Sequence, residues 1–300
     1  MAPSTPPRRT GRDAADEQQS WRDVVAALDA DPLFGVPPQR APRRPGALVG
    51  DLVDGVGGLV AFSGKTLRML FRGPFQTREF VQQTEFIAFV SVLPAMLVSI
   101  PFGAVIALQL GNLTKQLGAE SFTGAASALA TIREASPIVT ALLLAGAAGT
   151  AICADLGSRT IREEIDALEV LGISTIQRLV VPRVLGCVVV AMLLNGLVSV
   201  VGVVGGYVFN VLVQGGSPGA FVTSFRTIAT VQDLVLGEVK AAIFGLLAAL
   251  VACYRGLTVK GGPRAVGDAV NQSVVIAFAA LFVTNFVITS IYLQLVPAAT

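Results

Sequence analysis

The sequence predicts an all-α integral membrane protein: an N-terminal interfacial helix, five transmembrane helices, and a short cytoplasmic helix in the connection between the second and third spans. Three observations carry this. Of 300 residues, 53% are hydrophobic and 14% charged, against about 25% charged in a soluble domain, and the mean hydropathy is +0.70. The uncharged intervals reach the roughly 20 residues that a helix needs to cross hydrocarbon. The basic residues collect in alternate connections, as short cytoplasmic loops require. A soluble enzyme is thereby excluded. The chain also has no His, which removes His-metal sites, hydrolytic triads and His proton relays.

Residues 1–45 hold eight of the sixteen prolines and seven of the 22 basic residues, with no apolar stretch resembling a signal-peptide core. They read as a disordered cytoplasmic tail. Arg8 and Arg9 are followed by TGRDAADEQQ and so lack the hydrophobic core of a twin-arginine signal. Ser20 could cap a short turn in which Trp21, Val24, Val25 and Leu28 share a face, either docking or fraying.

Next comes a segment at about 47–73 that tempts a sixth crossing, but Asp54 and Lys65 leave only ten uncharged residues between them. Apolar residues mixed with Lys65, Arg68 and Arg72 suit a helix lying in the interface, with Pro74 turning the chain into the bilayer. The run GGLVAFSGKT at 57–66 imitates a nucleotide-binding P-loop. It has five residues between Gly58 and Gly64 where the motif needs four, and no strand precedes it.

Five spans follow, at about 86–110, 135–154, 184–213, 231–254 and 269–296. The second is the uncharged interval between Glu134 and Asp155, and the third falls in the charge-free stretch between Arg183 and Arg226. The fourth is anomalous, because Asp233, Glu238 and Lys240 lie in its first half. With the N-terminus inside, 18 of 22 basic residues are cytoplasmic. Five spans then put the C-terminus outside the cell membrane.

The connection at 154–183 is the most informative. Thr160 and Glu163 have capping-box spacing, Ile161, Ile165 and Leu168 recur on one helical face, and Gly172 supplies a stop. The other face carries Arg162, Glu163, Glu164, Asp166 and Glu169. An acidic amphipathic helix suits a soluble protein partner better than an anionic leaflet.

Charges within spans cost about 2.5–3.5 kcal/mol each at mid-bilayer, so they call for a role. Arg133 and Glu134 open the second span; Glu238 and Lys240 lie about 10–13 Å into the fourth. Two positions apart on a helix, Glu238 and Lys240 cannot share a partner. These four residues either line a lipid cavity or pair to fix packing. Gly202 and Gly206 form a GxxxG in span three, and Ala141, Ala145 and Gly149 repeat a small residue in span two, both suited to close helix packing. Pro94 and Pro101 should bend span one. Cys153, Cys187 and Cys253 lack CxxC spacing and read as buried small hydrophobes; no metal or disulfide is expected.

The run ICADLGSRTIREEIDALEVLGI with RLVVPRV after it resembles the signature of the MlaE/YrbE permeases, membrane subunits of ABC transporters that work with Mce-domain proteins on lipids. The likeness extends through PFQTREF, SIPFGAVIALQL, TIREASPIVTALLLAGAAGT, YRGLTVKGG and GDAVNQSVV, covering about 46–297. The wording is most similar to the actinobacterial YrbE subunit of A type. The resemblance implies a dimer with a second permease, a B-type paralogue; an N-terminal elbow helix; and a coupling helix at Ile161 to Leu171 that inserts into a separate cytoplasmic ATPase. ATP and Mg would bind in that partner, with no cofactor and no catalytic residue in this chain. Mce proteins would sit outside the membrane, and no nucleic acid is expected.

The function expected is thus that of a permease subunit of an ATP-driven Mce-type lipid transporter. The resemblance favours import, with fatty acids, sterols and phospholipids all suiting an apolar path. A structural anchor for an Mce assembly is the alternative. A secondary transporter fits less well, since five spans without self-similarity lack inverted repeats.

Overall fold

A computed structural model describes residues 45–70 and 76–295, with side chains from Gly55 onward except at Ile228. The tail, the turn expected at Ser20 to Leu28, the Pro74 turn and the C-terminal residues 296–300 lie outside the described residues. Two compact units divide the chain, Met1–Val56 and Gly57–Thr300. The described part of the first is the opening of a single helix; everything below concerns the second.

The described residues form helices throughout and no strand. These are α1 (Pro45–Leu70), α2 (Thr77–Gln116), α3 (Glu120–Ile161), α4 (Glu164–Val170), α5 (Ile176–Leu212), α6 (Pro218–Ile228), α7 (Val231–Leu257) and α8 (Pro263–Leu295). Five of them, α2, α3, α5, α7 and α8, are long and apolar enough to cross a membrane. The P-loop imitation at 57–66 lies inside α1.

The spanning helices run past the intervals read from charge. The 40 residues of α2 reach about 60 Å at 1.5 Å per residue, and α3 has 42 residues. Charged residues end an apolar interval without ending a helix: TREFVQQTE before Phe86 contains no Pro or Gly, and α3 runs on through Asp155 and Arg159 to Ile161. Pro94 and Pro101 lie inside α2, which continues through both. Two π-helical segments interrupt α3, at Ala130–Ala135 and Leu144–Gly149, and a third opens α5 at Ile176–Val180.

Close packing of α2 on α5 rests on small residues. On α2 the buried positions Ser91, Ala95, Ser99, Gly103, Ala107 and Gly111 repeat every fourth residue and so form one stripe. Gly103 lies so near the Gly202 carbonyl that a methyl group could not be inserted, and a Cβ on Gly206 would stand 3.2 Å from the Gly103 carbonyl. Gly202 and Gly206 therefore serve a crossing within the chain. Gly149 of α3 faces Ala252 of α7 with ordinary spacing.

At the centre stands α7, packed by α3, α5 and α8. Its Phe244, Ala248 and Val251 meet Ala141 and Ala145 of α3 and Ala277 and Leu281 of α8. A second cluster joins Ile152 and Leu156 of α3, Val180 and Val184 of α5, and Ala249 and Leu250 of α7. Cys153, Cys187 and Cys253 are free and buried within it. From α1, Phe62 packs on Tyr254, ring centroids 5.6 Å apart.

The loop helix differs from its sequence reading. The Thr160–Glu163 capping box does not form: α3 continues to Ile161, and the Thr160 hydroxyl donates to the Leu156 and Gly256 carbonyls at 2.9 and 3.2 Å. Back-bonding of Thr to its own helix competes with capping. Helix α4 starts only after Glu163, whose φ of 59° places it in the left-handed region, with no side-chain cap. Its C-terminus closes at Gly172, φ 72°, where the amides of Gly172 and Ile173 donate to the Glu169 and Leu168 carbonyls. That is a Schellman motif, which a residue without a Cβ adopts freely.

Candidate functional site

Arg133 and Glu134 occupy the first π segment of α3, where the altered register sends adjacent side chains to different partners. The Arg133 guanidinium clasps the Asp233 carboxylate of α7 through Nε, at 3.0 Å, and Nη2, and it lies 4.9 Å from the Tyr292 ring centroid on α8. Asp233 is also the N3 member of the capping box that opens α7 at Thr230, accepting from the Thr230 amide and hydroxyl at 3.2 and 2.8 Å. One carboxylate thus ends a helix and neutralises a cation.

Lys240 is fully buried, 0% exposed. Its ammonium donates to Glu134 Oε1 at 2.8 Å, to Thr289 Oγ1 at 2.9 Å and to the Arg133 carbonyl at 3.1 Å, using all three of its donors. The carbonyl is open because Pro137, four residues on, has no amide to give it. Asn285 and Thr289 of α8 also donate to the Glu134 carboxylate, at 3.3 and 3.2 Å. Three helices are tied by one charge pair.

Glu238 stands apart from Lys240. Its Oε1 accepts from Asn195 Nδ2 at 3.0 Å, and Asn195 accepts from Ser136, which takes a hydrogen bond from Ser199 at 2.8 Å. The four charged candidates therefore join three separate groups: Arg133 with Asp233, Glu134 with Lys240, and Glu238 with Asn195. Sequence reasoning noted Asp233 without selecting it, and missed Asn195, Ser136, Asn285 and Thr289. The available signal was a lone amide in otherwise apolar runs, MLLNGLV and FVTNFVI.

At the other end of the bundle, α4 buries Ile165 and packs Leu168 against the core. Leu168 is half-buried against the bundle. Arg162, Glu163, Asp166 and Glu169 are exposed, and Glu164 is held by Arg162 at 3.2 Å. The most exposed apolar groups here are Val170 and Leu171, at 87% and 72%. Sequence reasoning passed over them because they fall off the Ile161, Ile165, Leu168 face.

Known proteins agree with this architecture. The sequence profile described as Permease MlaE matches residues 80–291. A probable ABC transporter permease protein of a Synechocystis strain is 29% identical over 232 residues, covering 77% of this chain and 88% of that protein. One of Rickettsia conorii is 30% identical over 239 residues, 80% and 92% of the two chains. The chloroplastic protein trigalactosyldiacylglycerol 1 of Arabidopsis thaliana is 28% identical over 232 residues, 77% of this chain and 66% of that one. With a match spanning all five long apolar helices in large part, this multi-pass membrane protein belongs to the MlaE family of ABC transporter permeases.

Proposed function

We propose that this chain is the lipid-path subunit of an ATP-driven, Mce-type lipid importer, working as a dimer with a second permease and driven by a separate cytoplasmic ATPase. The observation that carries the reading is α4: a short acidic helix outside the spans whose tip presents Val170 and Leu171 to solvent. Exposed apolar residues rimmed by charge mark a contact with another protein. An ATPase groove with an apolar floor and a basic rim complements it. Family membership supports the ATPase and the second permease, a B-type paralogue in this reading. One relative's name, trigalactosyldiacylglycerol 1, refers to a lipid and supports that substrate class. Fatty acids or sterols are the cargo proposed, with the N-terminus and α4 on the cytoplasmic side, the C-terminus and the Mce proteins outside, and α1 as the interfacial elbow.

In this reading the Arg133–Asp233 and Glu134–Lys240 pairs hold α3, α7 and α8 together as a wall of the lipid path. The test is co-purification with candidate cytoplasmic ABC ATPases. Glu164→Arg, Asp166→Arg and Val170→Ser should each weaken association and lower lipid-stimulated hydrolysis while leaving the permease folded. Undiminished association in all three would remove α4 as the docking element.

A further inference from the structure

At the cytoplasmic end in this reading, a chain of alternating charges leads from α4 into the bundle, and neither the family assignment nor the lipid path accounts for it. Arg183 of α5 is 1% exposed, the largest fully buried side chain among the described residues. Its Nη1 donates to the Leu179 carbonyl at 2.9 Å, beside the π segment that opens α5, and its Nη2 pairs with Asp155 of α3 at 2.6 Å. Asp155, whose side chain is 41% exposed, also holds Arg159 one turn on, at 3.1 Å. Arg159 reaches Glu164, the first residue of α4, at 3.8 Å.

This chain matters because little else fixes α4. The helix has seven residues, with one buried side chain, Ile165, and one half-buried, Leu168, packed on the core. Both of its ends are turns: Glu163 and Gly172 have positive φ. A short rod flanked by turns and held along one face by Ile165 and Leu168 can tilt unless something ties it sideways. The tie runs through Asp155, which stands between a guanidinium sealed in the bundle and one at the surface.

We propose that Asp155 is a positioning residue that couples the direction of α4 to the base of α5. Moving α4 draws Glu164 from Arg159, which Asp155 holds one turn back on α3, so the pull reaches the Asp155–Arg183 pair through Arg159. Because a buried guanidinium without its carboxylate is strongly disfavoured, Asp155 stays with Arg183, and α4 follows the base of α5 for as long as Arg159 keeps Glu164. The consequence for transport rests on the docking reading above, whereas the mechanical link does not.

The test separates the two. Spin labels at Val170→Cys and Leu193→Cys, both strongly exposed, report the distance between α4 and α5 in the purified full-length permease; the three native thiols are buried and left unlabelled. The unmodified ion-pair chain should give one narrow distance distribution. Asp155→Asn should broaden it, Asp155→Glu should restore it, and Arg159→Gln, which leaves the Arg183 pair intact, should broaden it as well. A distribution unchanged in either Asp155→Asn or Arg159→Gln overturns the proposal, whatever the ATPase does. In the complex with the ATPase, Asp155→Asn should lower lipid moved per ATP several-fold at unchanged KM for ATP. Loss of that effect with a broadened distance would instead count against docking through α4.

Discussion

Replacing Lys240 with Met tests whether the buried pair governs stability. Met keeps the length and apolar stem of Lys and deletes only the ammonium. Glu134 then loses its cation while keeping Asn285 and Thr289 as donors. Removing one partner of a buried pair costs about 3–5 kcal/mol. The Glu134 side chain is 35% exposed and stays partly hydrogen-bonded, so the lower end applies. A loss of about 3 kcal/mol is roughly a hundredfold in the folded-to-unfolded ratio, well above the average of about 0.6 kcal/mol for an interhelical hydrogen bond in a membrane protein. The protein carries its own reporter: Cys153, Cys187 and Cys253 are buried and free, so a fluorescent maleimide added across a denaturing-detergent titration counts unfolded molecules. Adding Glu134→Gln to Lys240→Met removes the orphaned carboxylate and should bring stability back to within about 1 kcal/mol of the parent. A single variant losing under about 1 kcal/mol, or a double variant no more stable than the single, would refute the reasoning.

Three further outcomes are expected with the same thiol assay. Gly103→Ala should destabilise by about 1–3 kcal/mol through forced separation of α2 and α5, more than Gly206→Ala, whereas Gly146→Ala, with open space at its Cβ, should be neutral. Asp233→Asn should cost about 1–2 kcal/mol by losing the Arg133 charge pair while keeping an acceptor for the Thr230 amide, and Asp233→Ala should cost about 1 kcal/mol more through loss of the N3 half of the capping box, Thr230 remaining as N-cap. Gly172→Ala forces a Cβ into the left-handed region at about 1–2 kcal/mol; amide exchange should rise across α4 and stay unchanged in the α7 core.

Apolar intervals announced the five long helices because hydrocarbon admits few charges, and the fold class followed from composition and charge spacing. Boundaries were less legible. Glu134 and Asp155 mark where an uncharged run ends, and α3 passes through both because a charge does not break a helix; it continues even past Pro137 and Gly157, where tertiary packing outweighs propensity. The loop helix was readable from its acidic residues and Gly172. Its start was not, since whether Thr160 caps or back-bonds depends on the Gly256 carbonyl of α7 standing beside it. Likewise the α2 stripe of small residues acquires meaning only against Gly202.

The sequence by itself determined that this chain spans a membrane in five helices, that a charged loop helix lies outside them, and that a few costly charges lie within. Local rules suffice there: transfer free energy and helix periodicity act on neighbours along the chain. Tertiary structure decided which charge meets which. Glu134 and Lys240 are 106 positions apart, Arg133 and Asp233 100, and Asp155 and Arg183 28. An ion pair depends on ångströms between helices, and those are fixed only when Pro137 opens a carbonyl, a π segment turns Arg133 from Glu134, and glycines let α2 and α5 close.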